Sequence, residues 1–114
     1  MHIAKTLAIF CLGSGALSFK IRAFTGNGCT GSAKEINVWD NTCRNTDVPA
    51  TRSFRVLSYG GRRQRAGFYK NTRCGAIPEN GEKDWWADGG SDTFKKNKCI
   101  TLGYEANSYG SRSA

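Results

Sequence analysis

Two stretches of this chain, FKIRAFTGNGC at Phe19–Cys29 and RRQRAGFYKNTRC at Arg62–Cys74, carry the same pattern and decide the fold. When their closing cysteines are superimposed, Phe24 coincides with Tyr69. The apolar residues that alternate along each stretch, and so point inward from a strand, also coincide: Ile21 with Ala66, and Ala23 with Phe68. The chain is therefore predicted to use one β motif twice.

The N-terminal residues 1–18, MHIAKTLAIFCLGSGALS, have the layout of a secretory signal peptide. Lys5 gives a positive n-region, Leu7–Leu12 an apolar run, and Gly13–Ser18 a segment rich in small residues. The apolar run is too short to span a membrane, and the glycines weaken the alternative of a buried N-terminal helix. We expect cleavage near Ser18 and a secreted, extracellular domain over residues 19–114 with no transmembrane segment.

Removal of the signal peptide takes away Cys11 and leaves an even set of cysteines: Cys29, Cys43, Cys74 and Cys99. Four cysteines in so short an exported chain predict two disulfides, for which three pairings are possible. His2 is also removed, so the mature chain has no histidine. The usual Ser-His-Asp, Cys-His and histidine-dependent ribonuclease mechanisms are therefore excluded.

The mature chain is strongly basic. The full sequence has 17 Lys and Arg against 9 Asp and Glu, and only Lys5 is lost with the signal peptide, which leaves a net charge of +7. Such a chain attracts anionic surfaces such as cell-wall polymers or lipid headgroups; the alternative is that the charge serves only solubility. No aromatic pattern of a known RNA-binding module accompanies the basic residues, so nucleic acid is not an expected partner.

Residues 19–114 are predicted to form one small all-β domain, because turn-forming residues recur at short intervals and no long stretch has a helical period. The spacing is typical of a sandwich or barrel. Six strands are predicted: 19–24, 34–39, 53–58, 64–69, 84–87 and 98–102. The first motif is predicted to span residues 19–60 and the second 61–105, followed by a flexible Ser- and Gly-rich tail at 106–114.

The repeated hairpin resembles the folded-hairpin signature of βγ-crystallin Greek keys. The two copies read Phe24, TGNG, Cys29, Thr30, Gly31 and Tyr69, KNTR, Cys74, Gly75. Both place cysteine where the family usually has a second aromatic residue, and the second copy has its glycine one position early. This variation is similar to the small secreted branch of the fold, which includes macadamia-type antimicrobial proteins, killer-toxin-like proteins and small secreted fungal proteins.

The resemblance implies a βγ-crystallin-like sandwich of two Greek-key motifs, stabilised by disulfides, in which each motif lends a strand to the other's sheet. It implies the pairs Cys29–Cys99 and Cys43–Cys74, with the local pairs Cys29–Cys43 and Cys74–Cys99 as the alternative. The segments SFRVLS at 53–58 and CITLG at 99–103 resemble the fourth strand of each key.

Two groups of residues are candidate binding sites. Arg62, Arg63 and Arg65 form the densest basic patch, for which a solvated strand face is the alternative. Trp85 and Trp86 are adjacent in a predicted strand, so one ring is expected in the core and the other exposed for stacking on a sugar or docking to a partner. The alternative is that both rings pack under neighbouring loops.

Carboxylates give weaker signals. Glu82 and Asp84 lie beside the tryptophan pair, but an exposed acidic loop on so small a domain offers no deep cleft for glycoside hydrolysis, and no catalytic residue is predicted. Asp40 and Asn41 are the nearest match to the calcium motif of microbial βγ-crystallins, but Arg44 follows where a hydroxyl is needed. We expect no metal and no cofactor.

The expected function is that of a secreted, non-enzymatic protein, fungal by its resemblance, that acts outside the cell as a host-directed effector or an antimicrobial, killer-like toxin. The alternative is a cell-wall polysaccharide-binding module. The expected partners are an anionic extracellular surface, cell-wall polysaccharide or a host protein.

Overall fold

The structure, a computed structural model, describes residues 17–75 and 81–113, and in these ranges it contains β-strands and no helix. The strands are β1 (Ser18–Phe24), β2 (Ala33–Trp39), β3 (Cys43–Arg44), β4 (Thr51–Ser58), β5 (Gln64–Tyr69), β6 (Lys83–Trp86), β7 (Cys99–Ala106) and β8 (Ser108–Ser113). The all-β prediction and all six predicted strands are confirmed. The predicted signal peptide falls almost entirely outside the described residues, although Leu17 and Ser18 belong to the fold.

The strands form two four-stranded antiparallel sheets. Sheet A has the order β2-β1-β4-β7, and sheet B has the order β3-β8-β5-β6. β3 comes from the first half of the chain but lies in sheet B, and β7 comes from the second half but lies in sheet A. Each half therefore lends its third strand to the sheet of the other half, so neither sheet is complete without both halves.

The core lies between the two sheets and follows from the alternation of apolar residues. Ile21 and Ala23 of β1 are fully buried, as are their counterparts in β5. The rings of Phe54 in sheet A and Phe68 in sheet B stack with their centroids 4.5 Å apart. Burial of each Phe or Ile side chain stabilises the fold by about 1.5–3 kcal/mol. The inward-pointing residues therefore hold the two sheets together.

The last strand overturns the prediction of a flexible tail at 106–114. Ser108–Ser113 form β8, which pairs with β5 on one side and β3 on the other. Ser108 lies opposite Tyr69 as Ser53 of β4 lies opposite Phe24. β8 is therefore the fourth strand of the second half, and β7, which carries CITLG, is the third. A composition of serine and glycine suggested a tail, but here these small residues pack against the rest of the sheet.

A serine of the fourth strand holds each folded hairpin. The Ser53 hydroxyl donates a hydrogen bond to the Gly26 carbonyl at 2.6 Å and accepts one from the Cys29 N–H at 2.7 Å. In the second half, the Ser108 hydroxyl donates to the Asn71 carbonyl at 2.9 Å and accepts from the hairpin cysteine N–H at 3.0 Å. The same polar groups are satisfied in the same way in both halves.

The repeat extends to the backbone. Cys29 and Cys74 both have positive φ, 61° and 53°, at the same position of their hairpins. Asn41 and Asn97 also have positive φ, 58° and 65°, and each stands two residues before a disulfide cysteine. Asparagine tolerates this left-handed conformation better than most residues. The turn into each third strand is therefore built alike.

The disulfides are Cys29–Cys99 and Cys43–Cys74, the pairing that the resemblance implied, and not the local one. Each joins the folded hairpin of one half to the third strand of the other. Their sequence separations of 70 and 31 residues correspond to roughly 4 kcal/mol of stabilisation each in the chain-entropy model. The cross-links therefore reinforce the exchange of strands between the halves.

Candidate functional site

The predicted arginine patch and one tryptophan of the predicted pair meet on the outer surface of sheet B. Strands β5 and β6 are neighbours, and Arg65 lies opposite Trp86. The Arg65 guanidinium is 4.5 Å from the centre of the Trp86 ring, and that of Arg63 is 6.0 Å from it. Arg62 is exposed in the turn that precedes β5. Residues separated by more than twenty positions in sequence thus form one cationic and aromatic surface.

Trp85 points the other way, and its partly buried ring packs against the core. Its ring lies 5.8 Å from that of Phe68, 5.9 Å from that of Phe54 and 6.4 Å from that of Phe94. The expectation that one ring fills the core is therefore met by Trp85. The expectation that the other ring is exposed is corrected, because Trp86 is half-buried beneath the guanidinium of Arg65.

The tryptophan with the greatest exposure among the described residues is Trp39, at 51%. It is the last residue of β2, an edge strand of sheet A, so it belongs to the other sheet. Sequence reasoning missed it as a candidate. The signal was present, because the alternation that turns Ile36 and Val38 inward turns Trp39 outward.

A carboxylate lies between two arginines on the outer surface of sheet B. Asp84 Oδ2 is 2.9 Å from Arg65 Nη2 and 3.5 Å from Arg112 Nη2. Arg65 and Arg112 are direct neighbours across β5 and β8, where like charges destabilise a sheet. The Asp84 side chain is only 20% exposed, so its attraction to both cations is screened less than at the surface. Asp84 therefore allows two arginines to lie side by side.

Sequence reasoning missed Arg112 because this residue lies in the segment predicted to be a flexible tail. The other carboxylate of the predicted acidic pair, Glu82, accepts a hydrogen bond from the Lys70 N–H at 2.7 Å. Both carboxylates thus have clear roles in holding the fold.

The turn that presents Arg62 and Arg63 is held from two sides. The Arg63 N–H donates to Asp88 Oδ2 at 2.9 Å, and this hydrogen bond is the main reason that the pKa of the Asp88 carboxyl is lower than its ordinary value. Gln64 is fully buried, and its Oε1 accepts from the Gly61 N–H at 2.6 Å. Arg63 itself has a φ of 62°. The arginines thus project from a fixed turn, beside a cleft of about 270 Å³.

We call this surface the arginine face; its residues are Arg62, Arg63, Arg65, Asp84, Trp86 and Arg112. Its four guanidiniums outnumber its single carboxylate. Guanidiniums bind carboxylate, phosphate and sulfate groups through paired, charge-assisted hydrogen bonds. The arginine face is therefore suited to an anionic partner.

The remaining expectations concern metals and membranes. Within residues 17–75 and 81–113, no three or more His, Cys, Asp or Glu side chains are grouped as metal ligands would be. Asp40 of the partial calcium motif accepts hydrogen bonds from the Asn41 N–H and the Ser113 hydroxyl. Among the same described residues, no helix has the length and apolarity needed to cross a bilayer.

Comparisons with family models, with curated proteins and with solved structures found no match to this chain.

Proposed function

We propose that this chain is a secreted, non-enzymatic βγ-crystallin-like protein that acts outside the cell by binding an anionic surface through the arginine face, as a host-directed effector or an antimicrobial toxin. The observation that carries the proposal is the stack of Arg65 and Arg63 on Trp86. A guanidinium held against a ring is oriented at a lower entropic cost than a free side chain, and the Arg65 N–H groups that do not bind Asp84 remain for a partner.

The assignment to the βγ-crystallin-like class is supported by the exchange of third strands between the sheets. It is also supported by the two folded hairpins, each closed by a serine of the fourth strand. The disulfides are compatible with an oxidising, extracellular location. These features agree with the resemblance on which the proposal rests.

The second candidate is a cell-wall polysaccharide-binding module, and the geometry favours an acidic polysaccharide over a neutral one. Neutral sugars commonly stack on an open aromatic ring, but Trp86 is half-buried and lies beneath guanidiniums. An acidic polymer such as polygalacturonate presents a carboxylate on every sugar and so matches several guanidiniums at once. This candidate is a particular form of the first proposal, in which the anionic surface is a wall polymer.

The test is retention of the secreted protein on immobilised polygalacturonate. We expect retention that weakens as salt is raised, because screening reduces the attraction between separated charges. The double variant Arg62→Gln, Arg63→Gln should elute at lower salt than the wild type. The matched control Lys34→Gln, Arg52→Gln also removes two positive charges, but from exposed ion pairs elsewhere on the protein. It should therefore elute at higher salt than the Arg62→Gln, Arg63→Gln variant and close to the wild type. Equal elution of the two double variants would contradict the proposal.

The biological half of the proposal needs a separate assay. Purified wild-type protein should inhibit microbial growth or alter plant tissue, and the Arg62→Gln, Arg63→Gln variant should do so less. If the protein is inactive in both assays, the effector and toxin interpretations are wrong. The retention experiment on polygalacturonate is not affected by that result.

A further inference from the structure

A second cleft, of about 460 Å³, lies on the outer surface of sheet B. β8 forms its floor, the turn before β3 forms one wall, and the second folded hairpin, with the Cys43–Cys74 disulfide, forms the other. Its volume is within the range of small-molecule sites and exceeds what a bare inorganic ion fills. We call it the hairpin cleft.

Gly110 lies at the floor of the hairpin cleft. Gly110 of β8 lies opposite Cys43 of β3, as Arg55 of β4 lies opposite Cys99 of β7 in the first half. There, the Arg55 guanidinium donates a hydrogen bond to the Asn97 carbonyl at 2.9 Å. Gly110 has no side chain to make the corresponding contact. In sheet B the Tyr69 ring lies over this position instead, and this ring is part of the cleft lining.

The lining of the hairpin cleft is cationic. The side chains of Arg73 and Arg112 contribute to it, and its described lining includes no Asp or Glu. Arg112 is 3.5 Å from Asp84 and also interacts with the Tyr69 hydroxyl, but a guanidinium carries five N–H groups, so some remain for another acceptor. Among the described residues, none accepts a hydrogen bond from the Arg73 side chain. Asn41 and Thr42 add polar side chains to the lining.

We propose that the hairpin cleft binds one acidic sugar residue, with its carboxylate between Arg73 and Arg112. Two guanidiniums supply the paired donors that a carboxylate accepts, and the rest of the cleft has room and polar groups for the ring hydroxyls. The proposal deepens the proposed function, on which it rests for its partner, by naming the repeating unit of the polymer. Arg112 belongs to both surfaces, but Arg73 lines only the cleft, so a variant of Arg73 tests the cleft separately.

The test is calorimetric titration of the disulfide-bonded protein with trigalacturonate. The variant Arg73→Gln should bind at least about tenfold more weakly, because a charge-assisted hydrogen-bonded pair is lost. The control Arg52→Gln should bind within about twofold of the wild type, since only charge at a distance changes. Thermal unfolding should show Arg73→Gln as stable as the wild type. An Arg112→Lys variant keeps the charge but not the fork of donors and should lose affinity.

The arms of the titration separate the alternatives. Neutral galactotriose and inorganic phosphate should each bind much more weakly than trigalacturonate. If phosphate binds as tightly as trigalacturonate, the ligand is not specifically a sugar. If Arg73→Gln binds trigalacturonate as tightly as the wild type, the hairpin cleft is not the binding site. If wild-type protein binds trigalacturonate and Arg73→Gln does not, while wild-type protein is not retained on the polymer, the proposed function fails and the cleft stands.

Discussion

Tyr69 shows how single residues shape the outer surface of sheet B. Its ring lies across two glycines of neighbouring strands, Gly67 and Gly110, which face each other in the register. A Cβ on Gly110 would lie 2.8 Å from Tyr69 Cε2, and one on Gly67 would lie 2.9 Å from the same atom. The aromatic residue of the hairpin thus covers the sheet only because both positions lack a side chain.

Gly110→Ala should destabilise the protein by about 1–3 kcal/mol, because the Tyr69 ring or the backbone must shift to admit the methyl group. Urea unfolding of the variant measures this. In a Tyr69→Ala background the obstruction is absent, so the same substitution should be nearly neutral. An equal loss in both backgrounds would mean that Tyr69 is not the cause.

Asp84→Asn should lower the free energy of unfolding by about 1–2 kcal/mol, since Arg65 and Arg112 would then face each other without a carboxylate between them. The loss should shrink as salt is raised. The control is Glu105→Gln, which breaks the exposed pair with Arg52 and should cost about 0–0.5 kcal/mol. Chemical unfolding at two salt concentrations gives both values; equal losses would refute the structural role of Asp84.

For single residues, the two-residue alternation of a β-strand predicted which side chains point inward. It also predicted that Trp85 and Trp86 lie on opposite faces of the sheet. It did not predict what covers an outward residue. Trp86 is covered by Arg65 of the neighbouring strand and by Arg63 of the turn before it. Arg112 reaches the surface through a pairing of β5 with β8 that no local pattern shows. Register between distant strands is a property of the sheet, not of either segment.

The strands differ in how well the sequence identified them. β1, β2, β4 and β5 carry apolar alternation and were found with nearly correct bounds. β3 has two residues and β8 is mostly serine and glycine, so hydrophobicity identified neither. Two short repeats would have found them: Ser-Phe at 53–54 with Ser-Tyr at 108–109, and Asn-X-Cys at 41–43 with Asn-X-Cys at 97–99. The first repeat marks the serine that closes each folded hairpin, and the second marks the turn into each third strand. Hydrogen bonding determines these features, and a hydrophobic pattern does not show them.

Ser53→Ala and Ser108→Ala should each destabilise the protein by about 1–2 kcal/mol, because each leaves a part-buried N–H and carbonyl of the folded hairpin unpaired. The control is Ser58→Ala at the exposed end of β4, which should be nearly neutral. Hydrogen exchange should show faster exchange at Cys29 or Cys74 respectively, each variant loosening its own hairpin. Unchanged exchange at both cysteines would contradict the role assigned to these serines.

For the whole molecule, stability should depend on pH at the alkaline end. Burial raises the pKa of Tyr104 and of Tyr109 to about 12, because desolvation disfavours the charged phenolate. The unfolded chain ionises near pH 10, so the stabilisation from the neutral phenols is full below pH 10 and is lost as pH rises toward 12. Urea unfolding from pH 8 to 12 should show this fall, and the Tyr104→Phe, Tyr109→Phe variant should show a smaller one. An equal fall in both proteins would refute the role of these two tyrosines in the alkaline loss of stability.

At the scale of the molecule, the sequence predicted the all-β class and the even set of cysteines. The resemblance implied which cysteines pair, a choice that the residues alone left open. The place of Arg112 in the arginine face and the whole hairpin cleft were beyond prediction, because both depend on β8 lying between β3 and β5. A surface assembled from the two halves of a chain becomes visible only when the exchange of strands is known.

The central claim is that the outer surface of sheet B binds acidic polymers, and mapping the contact by NMR tests it most directly. Titration of isotope-labelled protein with an oligogalacturonate should shift the amide signals of Arg63–Tyr69, Lys83–Trp86 and Gly110–Arg112 and leave those of Lys34–Trp39 in sheet A unchanged. Shifts concentrated in sheet A, or no shifts at concentrations that saturate retention on polygalacturonate, would contradict the account.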